Sequence, residues 1–143
     1  MGAPCKTVLI VEDSPAQALA LKQLLKKEGL QVLWAADGQV GVMLAQRYMP
    51  DVIVLDIEMP RMNGFEACRR LKGDARTVDI PIVMLTVRDD AATALHGLDV
   101  GAIDFIPKDA FSGSVILETL RQLRILPGLS ETTRAAEGDC VGG

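Results

Sequence analysis

Short runs of consecutive apolar residues alternate along the chain with stretches whose apolar positions recur every three to four residues. The runs are too short for helices and rich in valine and isoleucine, as strands covered on both faces require, and the second spacing gives a helix with one apolar stripe. Thr7–Val11 reads as a strand. Ser14 then caps a helix with Pro15 at its first position, Leu21, Leu24 and Leu25 on one face, and Gly29 at its end. Gln31–Ala35 is a second strand and Gly38–Arg47 a second helix. Val52–Leu55 is a continuous apolar strand, followed by a helix over Asn63–Lys72. A fourth strand over Ile80–Leu85 precedes a helix over Asp90–Val100. A fifth strand over Ile103–Ile106 precedes a last helix over Ser112–Leu126 that carries Val115, Ile116, Leu120 and Leu123.

Five strand–helix units in a row predict an α/β fold, a five-stranded parallel sheet with helices on both faces. Right-handed crossovers restrict the topology, and strand order 2-1-3-4-5 is the common solution at this length. The fifth strand is then an edge, where Pro107 is tolerated because an edge strand can spare an N–H. From Pro127 the apolar period fades into Pro, Gly, Thr and Glu. The expected division is one domain over residues 1–126 and a flexible tail or linker over 127–143.

Composition narrows the function classes. A net charge of −4 without a dense Lys/Arg stripe argues against a nucleic-acid surface, and one Trp, one Tyr and three Phe leave little for base stacking. The apolar run Val8–Val11 ends at Glu12-Asp13, far short of the ~20 residues of a membrane span. Cys5, Cys68 and Cys140 are an odd, scattered set that suits a reducing cytoplasm better than a disulfide framework or a metal site. A cytoplasmic location is therefore expected.

The chemistry sits at the carboxyl ends of the strands. Strand one ends in Glu12-Asp13, strand three in Asp56, strand four in Thr86 and strand five in Ile106-Pro107-Lys108. In an open α/β sheet those ends border the ligand crevice, where the strand order reverses. Strands one and three are neighbours there, so three carboxylates meet beside a hydroxyl and an ammonium. Two unit charges 4 Å apart repel by about 4 kcal/mol at an effective dielectric of 20, so a cation is expected. Oxygen-only ligands suit Mg²⁺, and the isolated His96 and separated cysteines make zinc a poor fit.

Leu9-Ile10-Val11-Glu12-Asp13-Ser14, Asp56-Ile57-Glu58-Met59-Pro60-Arg61-Met62-Asn63-Gly64, Leu85-Thr86 and Phe105-Ile106-Pro107-Lys108 resemble the signature of response-regulator receiver domains, from about residue 6 to residue 126. Each piece alone is weak; the set, in order and at strand ends, is specific. The resemblance implies a flavodoxin-like doubly wound fold and a phosphorylation switch of a two-component system, not an enzyme acting on free substrates. It makes Asp56 the phosphoacceptor, supplied by a sensor histidine kinase or phosphotransfer protein. Asp13, Asp56 and the backbone carbonyl of Glu58 would hold Mg²⁺ directly, and Glu12 through a water. Lys108 and Thr86 would bind the phosphoryl group. Thr86 and Phe105 would form a switch that changes the face built by the fourth helix, fifth strand and fifth helix, for a downstream protein or a dimer.

Every residue alone also has a plainer reading. Glu12 and Asp13 suit the N-terminus of the first helix, Lys108 a solvated loop and Thr86 an ordinary strand position. Trp34 and the six methionines read as packing, Cys68 as a small core residue, and His96 and Arg61 as surface residues without chemistry. Two departures stand out. Val87 occupies the place after Thr86 where the family has Ala or Gly. Asp109 follows Lys108 where the family has Pro, which favours a trans peptide because a non-proline cis bond costs about 2.5–4 kcal/mol. Competing readings are a receiver module cut from a hybrid kinase or longer regulator, a haloacid-dehalogenase-type aspartyl-phosphate phosphatase, a nucleotide-binding module, and a receiver-like docking surface. Against the phosphatase, the Thr that follows that family's second acid is missing here and so is a cap domain, and no Gly-x-x-x-x-Gly-Lys or Gly-x-Gly-x-x-Gly marks a nucleotide site.

Overall fold

The computed structural model describes residues 6–57, 59, 62–86, 99–108 and 112–125. Strands β1 (Thr7–Val11), β2 (Gln31–Ala35), β3 (Val52–Asp56), β4 (Ile82–Thr86) and β5 (Asp104–Pro107) form one parallel sheet in the order β2-β1-β3-β4-β5. This is the order expected from the sequence. Helices α1 (Pro15–Lys27), α2 (Gly38–Tyr48), α3 (Gly64–Lys72) and α4 (Ser112–Gln122) accompany it. The helix expected over Asp90–Val100 lies almost wholly outside the described residues, as do Glu58, Arg61, Val87, His96, the Lys108–Asp109 peptide and the segment after residue 125.

Side chains alternate between the two faces of a strand, so the strand sequences divide into two cores. Leu9, Val11, Ile53, Leu55, Ile82 and Met84 pack with Val42 and Ala45 of α2 and Ala67, Cys68 and Leu71 of α3. Val8, Ile10, Val52, Val54, Val83, Leu85 and Ile106 pack on the other face with Leu25 of α1 and Ile116 and Leu120 of α4. Two covered faces explain why β1, β3 and β4 read as unbroken apolar runs. The Cys68 thiol belongs to the first core, where burial pushes its pKa up to about 11 and keeps it protonated. Val115, by contrast, faces solvent.

Helix ends follow local chemistry. The Ser14, Asp37 and Asn63 side chains accept from the backbone N–H of Gln17, Val40 and Glu66, capping α1, α2 and α3. Gly29, at φ 85, closes α1 in a Schellman turn, with Gly29 N donating to Lys26 O and Leu30 N to Leu25 O. The same turn closes α4 at Gln122, four residues before the expected end. Arg124 takes φ 63, its N–H reaches Arg121 O, and Ile125 N donates to Leu120 O. The fourth strand starts at Ile82, later than the expected Ile80, because Ile80 N donates to Thr77 O and Pro81 has no N–H to give.

Gly64 lets α3 approach the end of β3. Its N–H donates to Ile57 O at 2.8 Å, and a Cβ there would meet Asp56 O and come within 2.7 Å of Ile57 Cα. Both obstacles are backbone, so neither yields cheaply. Gly64→Ala is expected to lower the unfolding free energy by about 1–3 kcal/mol in urea denaturation. Gly73→Ala, at φ −87 with Arg69 O as nearest neighbour at 3.4 Å, should change it by less than about 0.5 kcal/mol.

Candidate functional site

Strand alternation places the polar residues as well as the core. Val8 and Ile10 continue to Glu12, Val52 and Val54 to Asp56, and Ile106 to Lys108, so all three polar side chains belong to the face covered by α1 and α4. Thr86 continues Ile82 and Met84 on the opposite face. Ladder-like hydrogen bonds extend past the strands and fix these positions. Glu12 N donates to Ala35 O at 3.0 Å, Ile57 N to Leu85 O at 3.0 Å, and Lys108 N to Thr86 O at 2.6 Å.

The sheet thus brings Glu12 and Asp56 together at 1% and 2% exposure, a depth at which unpaired carboxylates are untenable. Lys108 answers both. Its Nζ lies 2.7 Å from Glu12 Oε2 and 3.1 Å from Asp56 Oδ2, with the lysine side chain itself 15% exposed. A solvated loop lysine is therefore the wrong description of Lys108. The other Glu12 oxygen, Oε1, accepts from Ser14 N at 3.2 Å, which ties the acid to the start of α1. Asp13 is exposed. The Glu12, Asp13 and Asp56 side chains each bring a carboxylate oxygen within 4.8 Å of the other two. One ammonium cannot balance three carboxylates, so hard oxygens and excess negative charge make the cluster fit for a divalent cation.

Electrostatics follow from that geometry. Burial, and then the charge of Glu12, raise the Asp56 pKa from 3.8 to about 7 against the opposing attraction of Lys108. Burial by itself would depress the Lys108 ammonium. The hydrogen bond to Glu12 and the attraction of Asp56 and Glu12 together outweigh it, and the pKa rises above the ordinary lysine value.

Thr86 is fully buried, and Phe105 is half-buried against the core shared with α2 and α3. Phe105 pairs with Met84 and Pro107 with Thr86 in the β4–β5 register. Phe105 and Thr86 are therefore diagonal neighbours on one face of the sheet.

Two residues of the site escaped the sequence reading. Gln17, on the exposed first turn of α1, accepts from Lys108 Nζ through Oε1 at 2.8 Å. Trp34, taken from the sequence as packing, is 42% exposed, and its Nε1 donates to the backbone carbonyl of Glu12 at 2.8 Å. The β1–β2 register, in which Ile10 faces Trp34, sets the indole beside the end of β1. Once the strand order is known that proximity follows. Nothing local in the sequence marks Gln17.

Comparison with known proteins agrees with this arrangement. Residues 8–121 match the response regulator receiver domain family. The chain is 44% identical over 101 residues to protein PilH of Pseudomonas aeruginosa, covering 71% of this chain and 84% of PilH. It is 41% identical over 101 residues to response regulator PleD of Caulobacter vibrioides, covering 71% of this chain but only 22% of PleD. Among solved structures, chemotaxis protein CheY4 of Vibrio cholerae superposes with a TM-score of 0.78 at 32% identity, over 83% of this chain and 98% of that one. The receiver domain of a Pseudomonas aeruginosa sensor histidine kinase, with a magnesium ion in its active-site cleft, superposes with a TM-score of 0.76 at 26% identity, over 83% and 97%. A five-stranded sheet with its acids and lysine gathered at one end, and a family match across most of its length, place this chain in the response regulator receiver domain family, the phosphorylation switches of two-component signalling.

Proposed function

We propose that Asp56 is the phosphoacceptor and that Glu12, Asp13 and Lys108 prepare it for phosphoryl transfer. The observation that carries this reading is the position of the Asp56 carboxylate. It is buried at a strand end, 3.1 Å from an ammonium and within reach of two further acids. A carboxylate oxygen forms the new O–P bond as the P–N bond of a phosphohistidine breaks, and the departing imidazole nitrogen takes the electron pair. The donor is a sensor histidine kinase or phosphotransfer protein. Lys108 neutralises charge on a phosphoryl oxygen as a point charge.

Mg²⁺ is the proposed metal, and when bound it offsets the negative charge shared by the carboxylates and the incoming phosphoryl group. Asp13, which is exposed, and Asp56 would hold it directly, with the Glu58 carbonyl as a further ligand. Glu12, with both oxygens already accepting from Lys108 and Ser14, would act through water. The magnesium ion in the histidine-kinase receiver domain supports this choice.

Thr86 would give its hydroxyl to the phosphoryl group, and Phe105 would take up the space released on the same face of the sheet. The face around β5 and α4 would then carry the output, to a downstream protein or a second copy. No described helix is long and apolar enough to cross a membrane, and a cytoplasmic site of action fits a histidine-kinase donor. The domain promotes its own phosphorylation and dephosphorylation and turns over no free substrate.

Incubation with acetyl phosphate and Mg²⁺ should add one phosphoryl group to the intact mass, and Asp56→Asn should abolish the gain. An undiminished gain in Asp56→Asn would place the acceptor elsewhere.

The raised Asp56 pKa also makes a stability prediction. Between about pH 4 and pH 7 the metal-free native state keeps a proton that the unfolded chain has released. The contribution of Asp56 to stability is therefore present in full below about pH 4 and is lost as the pH rises through about 7. Asp56→Asn removes that loss. Urea denaturation without metal should show the variant more stable than the wild type at about pH 8, with the gap closing toward about pH 5.

A further inference from the structure

We infer that Gln17 is a positioning residue for Lys108, holding the ammonium so that one of its N–H bonds points at the acceptor Asp56. An ammonium has three N–H donors, and here three acceptors surround it: Glu12 Oε2 at 2.7 Å, Gln17 Oε1 at 2.8 Å and Asp56 Oδ2 at 3.1 Å. The two shorter contacts come from the end of β1 and the first turn of α1. The longest is the one to Asp56, the atom group that changes on phosphorylation. Glu12 and Gln17 therefore act as two fixed anchors, and the third donor is left to follow the reacting group.

The placement of Gln17 is built from the cap upward. Ser14 N is held by Glu12 Oε1, and Ser14 Oγ accepts from Gln17 N at 3.4 Å, so the residue is locked at the third position of α1. From there its amide reaches across to the end of β5. Lys108 needs such an anchor. A cleft of about 330 Å³ opens beside it between α1 and α4, lined by Glu12, Gln17, Leu21, Leu24, Lys108 and Gly113. A lysine side chain with four rotatable carbons would otherwise sample that space. Glu12 alone fixes one N–H and leaves the ammonium free to rotate about that contact; the second anchor removes the rotation.

The inference rests on Asp56 being the acceptor, and the experiment separates the two claims. The readouts are the ¹⁵N–¹H signal of the Lys108 ammonium, assigned by its loss in Lys108→Arg, and the affinity for beryllofluoride, a phosphoryl mimic, in the presence of Mg²⁺. Gln17→Met keeps the length and helix preference of the side chain without the acceptor, and Gln17→Glu keeps an acceptor. Gln17 is exposed, so both variants should fold. The unliganded wild type should show a protected ammonium signal. Gln17→Met should lose that signal and bind beryllofluoride about three- to tenfold more weakly, the range expected for one hydrogen bond, while Gln17→Glu should keep the signal. A retained signal in Gln17→Met, a beryllofluoride affinity within about twofold of wild type, or loss of the signal in Gln17→Glu too would overturn the role of Gln17. Failure of the wild type itself to bind beryllofluoride would overturn Asp56 as acceptor instead.

Discussion

The contact between the Lys108 ammonium and the buried Glu12 and Asp56 carboxylates is the interaction on which the rest of the site depends. Parallel strands bring the ends of β1 and β3 side by side, and alternation turns both acids to the same face. That arrangement is costly by itself, because desolvated like charges repel. A lysine just past the end of β5, two strands away from β3, crosses to them and makes the pair tenable. The compensation is incomplete, and the Asp56 pKa near 7 expresses the remainder. The site accordingly favours whatever delivers more positive charge to Asp56, first a proton and, in the proposed mechanism, a metal ion.

The same alternation puts the residues of the proposed chemistry and those of the proposed response on opposite faces. Glu12, Asp56 and Lys108 belong to the face shared with α1 and α4, whereas Thr86 and Phe105 belong to the face shared with α2 and α3. Thr86 stands at the end of β4, next to the end of β3, on the side of the sheet away from Asp56, where the proposed mechanism has its hydroxyl respond to phosphorylation. Gly64 keeps α3 against the end of β3, so its narrow steric allowance also guards the position of Asp56.

Much of this was legible in the sequence, for identifiable reasons. Strands covered on both faces leave unbroken apolar runs, and the polar residue that ends such a run is a ligand candidate because nothing else justifies it there. Asp56 after Val-Ile-Val-Leu is the clearest instance. Helix boundaries were legible where a capping side chain or glycine sets them, as at Ser14 and Gly29, and were missed at Arg124, a residue type that gives no sign of a left-handed turn. The start of β4 was missed because Ile80 looks like a strand residue while its N–H serves the preceding turn. Gln17 and Trp34 were missed for a different reason, although the place of Trp34 beside the end of β1 follows from the strand order. Their roles come from contacts across the fold, to Lys108 and to the Glu12 carbonyl, that no local spacing encodes.

Proton release on metal binding tests the central claim most directly, that burial among acids keeps a proton on Asp56 until a cation displaces it. Calorimetric Mg²⁺ titrations in buffers of different ionisation enthalpy measure the release. At about pH 6.5 the wild type should release a large fraction of a proton per Mg²⁺ bound, at about pH 9 almost none, and Asp56→Asn none at either pH. Equal release from wild type and Asp56→Asn, or none from the wild type at about pH 6.5, would contradict the account.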